Sequence, residues 1–111
     1  MSQFAYSENI SLICSMVEKG DNQLYFVALT FDTESKDLTR LDGNGLKLFS
    51  LKKIMVEGTY AWNMSYIYED KYDVEELYTL NRTTLFIRHL QDFADQLSSK
   101  QGQCHIQNPQ I

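Results

Sequence analysis

The chain reads as a mainly β domain, a small antiparallel barrel or strongly twisted sandwich of about seven or eight strands with one short helix near its end. Three observations predict this class. Apolar and polar residues alternate with period two over most of the chain, aromatic and β-branched residues gather in those runs, and the runs are parted by short turns carrying Gly, Asn and Asp. The alternative is an α+β sheet with a full helix over residues 84–99 packed across it, because Leu85, Phe86, Leu90, Phe93 and Leu97 recur at helical three-and-four spacing.

From Ile10 to Glu18, Ile10, Leu12, Cys14 and Met16 share one face and Ser11 and Ser15 lie on the other, the pattern of a half-buried strand. Lys19-Gly20-Asp21-Asn22 turns the chain, and Leu24 to Phe31 returns as a strand paired antiparallel to the first. Asp32 to Asp37 is a polar connection to a short strand, Leu38 to Leu41, followed by the Asp42-Gly43-Asn44-Gly45 turn. Leu46 to Phe49 and Lys53 to Val56 read as two short edge strands whose lysines discourage outside pairing.

Thr59 to Glu69 carries the most unusual pattern. Tyr60, Trp62, Met64, Tyr66 and Tyr68 alternate with Ala61, Asn63, Ser65 and Ile67, so a strand projects five large groups to one side. The stripe reads as a core face; the alternative is an aromatic wall for a ligand. Glu69 to Glu76 reads as a solvated acidic connection in which Asp70, Asp73, Glu75 and Glu76 outnumber Lys71. A strand from Leu77 to about Arg88, with Tyr78, Leu80 and Phe86 on one side, leads into a short amphipathic helix over Leu90 to Ser98. Gln103 to Gln107 is the last strand, and the sole proline, Pro109, lies beyond it.

The 111 residues amount to a single domain over 1–111, without repeat or linker. With 10 Lys and Arg against 15 Asp and Glu, the charge of −5 disfavours direct contact with nucleic acid, and no apolar run is long enough to imply a membrane span. No secretory leader is read in the first residues, so a cytoplasmic setting is expected, with Cys14 and Cys104 as reduced, buried thiols. The Asn-x-Ser/Thr triplets at Asn9, Asn63 and Asn81 are then chance matches.

No catalytic, cofactor or metal site is predicted. Cys104 and His105 are neighbours on one strand and so face opposite ways, while Cys14 and His89 are remote in sequence. Glu57 is the one carboxylate considered for an apolar setting, and beside Gly58 it reads as a turn residue. Asp42-Gly43-Asn44-Gly45 lacks the following lysine and helix of a phosphate loop.

At Tyr78-Thr79-Leu80-Asn81-Arg82-Thr83-Thr84-Leu85, with Cys14, Phe31-Asp32-Thr33 and Gly102-Gln103-Cys104, the chain resembles small β-rich proteins of bacteria and phages. The resemblance implies a β fold and carries over no catalytic residue. The expected function is a non-enzymatic protein-binding module, such as a bacterial or phage inhibitor or immunity-type factor, meeting a basic partner through Asp70, Asp73, Glu75 and Glu76. The alternative is a small-molecule carrier whose barrel interior is lined by Tyr60, Trp62, Met64, Tyr66 and Tyr68.

Overall fold

The computed structural model describes residues 9–42, 45–54 and 58–107. They form eight strands: β1 (Asn9–Glu18), β2 (Leu24–Asp32), β3 (Leu38–Asp42), β4 (Gly45–Ile54), β5 (Thr59–Tyr68), β6 (Tyr72–Asn81), β7 (Phe86–Phe93) and β8 (Gln96–Gln107). Each pairs antiparallel with the next and β8 pairs back onto β1, so the sheet closes into an up-and-down barrel. Strand alternation then decides the interior: Leu12, Cys14 and Met16 of β1, Leu29 and Phe31 of β2, Tyr60 and Trp62 of β5 and Tyr78 and Leu80 of β6 are all buried in one core.

The mainly β small barrel predicted from the alternation is therefore the fold, but the late helix is not part of it. Residues 86–93 and 96–107 are strands joined by Ala94 and Asp95, both at positive φ (51° and 70°), the geometry of a two-residue type I′ hairpin turn. The helical spacing was coincidental. Leu90 and Leu97 lie on the outside of the barrel, Leu97 at 80% exposure, while the Phe93 ring packs 5.4 Å from those of Tyr68 and Tyr72.

Three further expectations are corrected. The strand proposed from Leu77 onward stops at Asn81, and the turn before β7 leaves Phe86 exposed and Ile87 buried, so Phe86 does not share a face with Tyr78 and Leu80. The two proposed pieces belong to one strand, β4, which pairs with β3 through residues 45–49 and with β5 through residues 50–54, with a register shift between Leu51 and Lys53. Residues 43 and 44 of the proposed glycine turn, Val56, Glu57 and Pro109 lie outside the described residues.

The cysteines are not free thiols. Cys14 and Cys104 face each other across the β1–β8 seam and are joined in a disulfide, with both residues fully buried. Barrel closure is what brings them together: β1 and β8 are the first and last strands, and only their pairing makes 14 and 104 direct neighbours. Gly102 lies on the same seam, where a Cβ would sit 1.8 Å from the Ser15 carbonyl oxygen, so the strands approach too closely there for any side chain.

Candidate functional site

The barrel interior has two chemically distinct ends. At one, which we call the mouth, β1, β3, β5 and β7 begin and β2, β4, β6 and β8 end. A cavity of about 230 Å³ opens there. Leu12, Phe31, Tyr60, Trp62 and Leu80 line its apolar interior, with Ile10, Leu85 and Ile106 also contributing. The aromatic groups brace one another: the Phe31, Tyr60 and Trp62 ring centroids are 5.6–6.0 Å apart in tilted and edge-to-face arrangements.

Among the described residues, two loops at this mouth share one backbone design. In β2–β3, Asp32 Oδ1 accepts the N–H groups of Glu34 (2.8 Å) and Ser35 (3.0 Å), and Lys36 N–H donates to the Asp32 carbonyl at 2.8 Å. In β6–β7, Asn81 Oδ1 accepts the N–H groups of Thr83 (2.8 Å) and Thr84 (2.9 Å), and Leu85 N–H donates to the Asn81 carbonyl at 2.7 Å. The residue closing each turn, Lys36 or Leu85, has positive φ (68° and 62°). Backbone hydrogen bonds from Ser35 and Glu34 hold the Asp32 carboxyl below its ordinary range.

These loops bring two cations to the cavity wall. Trp62 Nε1–H donates to the Lys36 carbonyl at 2.6 Å, pinning the β2–β3 loop to the cavity floor. The Lys36 ammonium caps the Thr33 carbonyl. Arg82 N–H donates to the Gly58 carbonyl at 3.1 Å, and the Arg82 guanidinium carbon stands 5.1 Å from the Tyr60 ring centroid.

The far end is filled with paired polar groups. Glu76, 2% exposed, accepts from Arg40 Nη1 at 2.6 Å and His89 Nε2 at 2.7 Å on one carboxylate oxygen, and from Tyr66 OH at 2.8 Å and Arg40 Nη2 at 3.3 Å on the other. Burial pushes the Glu76 carboxyl up, but these hydrogen bonds and the Arg40 charge outweigh it and hold the group well below the usual carboxylate range. An ionised carboxylate only accepts, so His89 Nε2 carries the hydrogen of that contact. Tyr78 stacks on His89 with centroids 4.3 Å apart, and the Arg40 guanidinium lies 5.1 Å from the Phe49 ring centroid. Each Glu76 carboxylate oxygen accepts two hydrogen bonds, an arrangement suited to a structural plug.

The expected site residues thus fall in three places. Tyr60 and Trp62 line the mouth cavity; Met64 packs against the core below them, Tyr66 belongs to the Glu76 plug, and Tyr68 is 45% exposed at the far rim. The stripe does share a face, but it runs the length of the barrel and only its first two members meet the cavity. Asp70, Asp73 and Glu75 are exposed, whereas Glu76 is removed from the acidic surface because its neighbours Val74 and Tyr78 point inward with it. That alternation was visible in the sequence, but the charge of Glu76 masked it.

Asp92 and Asp95 take the place of Glu76 outside. With Asp73 and Glu75 they border a shallow hollow, and Glu75 sits directly across from Asp92. Lys36 and Arg82 were not predicted either; the matching Asx residues at 32 and 81 were the available signal. Cys104 and His105 do point to opposite faces. No protein-family model matches this chain, and neither a curated protein nor a solved structure does so.

Proposed function

We propose that the protein is a non-enzymatic binder of a small, largely apolar molecule, held in the barrel mouth against Tyr60 and Trp62. The observation that carries this reading is the cavity of about 230 Å³ beside rings that are otherwise packed. An apolar cavity of about 150 Å³ accommodates benzene, so one ring with a short extension fits this space.

Toluene titrated into the protein should shift the emission of Trp62, the only tryptophan, with saturation. Leu80→Phe, which fills the cavity, and Ile106→Trp at the exposed rim should each abolish a saturable response in thermal shift, a readout not confused by the added indole. No saturable effect of toluene on the wild-type protein would defeat the reading.

A second reading rests on the acidic hollow. Like charges directly opposite on neighbouring strands destabilise a sheet, and Glu75 faces Asp92 in this way, with Asp92 Oδ1 shielded and without a hydrogen-bond partner among the described residues. A basic protein seated there would relieve that cost. Replacing Asp73, Glu75 and Asp92 by their amides should then slow association with such a partner, most of all at low salt; an unchanged on-rate would remove this reading.

A further inference from the structure

We infer that the molecule held in the mouth carries an anionic head group, a carboxylate on a small aromatic or short aliphatic body, with Arg82 as its principal contact. This rests on the mouth being a binding site and adds the charge of its ligand. The chain as a whole is acidic, 15 carboxylates to 10 cations, yet the described residues lining the cavity include Lys36 and Arg82 and, among them, no Asp or Glu. These two cations attract a negative ligand and disfavour a cation at the wall itself, while Asp32, Glu34 and Asp37 of the same β2–β3 loop lie outside the lining.

The polar groups are placed to receive a head group rather than a polar body. Trp62 Nε1–H, the donor deepest in the cavity, is already spent on the Lys36 carbonyl at 2.6 Å, so the floor presents carbon to the ligand. Arg82 is exposed, and its one recorded contact through the guanidinium is with the Tyr60 ring, 5.1 Å away; among the described residues it meets no carboxylate. A guanidinium over an aromatic face spends no N–H on a conventional acceptor there, and its planar fork can bind a carboxylate through two parallel hydrogen bonds. Lys36 stands across the loop pair, its ammonium turned to the Thr33 carbonyl and shared with the field of Asp32. It therefore contributes positive potential at the rim, while Arg82 supplies directed donors. The two Asx-closed turns fix both backbones before any ligand arrives, so little ordering cost is left to binding.

Three probes with one shape test the charge: 3-phenylpropanoate, 3-phenylpropan-1-ol and 3-phenylpropylamine, each titrated into the full chain with Trp62 emission as the readout. The carboxylate should bind on the order of tenfold tighter than the alcohol, with the amine weakest. Arg82→Gln should remove most of the preference for the carboxylate over the alcohol, with an unchanged far-UV circular dichroism spectrum showing that the variant is folded. Added salt should weaken the carboxylate and spare the alcohol, because Arg82 is exposed. Equal affinities, or tighter binding of the amine, would overturn the anionic assignment while leaving the cavity as a binding site. A preference that survives Arg82→Gln would overturn the role of Arg82. Failure of all three probes to bind would defeat the binding-site reading itself.

Discussion

The same strands build both ends of the barrel, yet β5 and β6 place Tyr60, Trp62 and Leu80 toward the mouth and Tyr66 and Glu76 toward the far end. The mouth is held by ring contacts and keeps a largely apolar void; the interior toward the far end is held by hydrogen bonds to one carboxylate. Apolar walls tolerate an unfilled space because each loses only weak dispersion contacts, whereas a buried charge missing one partner suffers a large desolvation penalty. The comparison teaches where change is permitted. On the proposed reading, a ligand meets the mouth without touching the plug.

The largest effect should come from breaking the plug. Glu76→Ala removes the acceptor that Arg40, His89 and Tyr66 share and should cost about 3–5 kcal/mol in chemical denaturation. Glu76→Gln keeps the shape and should cost less. Since the folded pKa of Glu76 is depressed, its contribution is fully present above its ordinary 4.5 and is lost as pH falls below that value toward the folded pKa. The unfolding midpoint should therefore decline below about pH 5 in the wild type, and decline less in Glu76→Gln. Equal acid sensitivity in both would mean that the plug does not carry this stability.

Next in size is the disulfide, which lies on the seam that serves both ends. It closes a loop with a sequence separation of 90, so its removal by Cys14→Ala with Cys104→Ala should cost about 2–4 kcal/mol. Because both cysteines are buried, a reductant should act slowly on the folded protein and quickly in denaturant. Immediate labelling of two thiols in native protein would contradict the bond. A disulfide persists in oxidising surroundings, so the expectation of a cytoplasmic setting no longer has reduced thiols behind it.

The smallest effect should be at the mouth loops. Asn81→Ala removes two backbone caps and should cost about 1 kcal/mol, while loosening Arg82 and weakening carboxylate binding more than alcohol binding. A loss of stability with both ligands equally affected would separate the turn from the positioning of Arg82.

Much of the fold was legible because period-two alternation directly reports which face a strand buries. Ile10 to Met16 and Tyr60 to Trp62 turn inward as their spacing implies. What was not legible depends on pairing between distant strands or on unusual turn chemistry. Nothing near Cys14 announces that β8 will lie beside it, and Ala94-Asp95 lacks the Asn or Gly that usually marks a turn with both residues at positive φ. Glu76 shows a different failure. Its position in the Val74, Glu76, Tyr78, Leu80 alternation pointed inward, but an isolated carboxylate belongs outside, and only the structure supplies Arg40, His89 and Tyr66 from other strands to satisfy it. The cavity lay beyond reach for the same reason, since its walls come from strands and loops distributed along the whole chain.

At the mouth the barrel holds an accessible apolar space, whereas beside Glu76 and Arg40 the interior is occupied by hydrogen-bonded side chains. Xenon under pressure tests this difference most directly, because the gas occupies apolar cavities without needing a head group or a fluorescence change. Crystals of the full chain pressurised with xenon should show density among Leu12, Phe31, Tyr60, Trp62 and Leu80, and none beside Glu76 and Arg40. Xenon absent from the mouth, or bound instead within the Glu76 plug, would contradict the account.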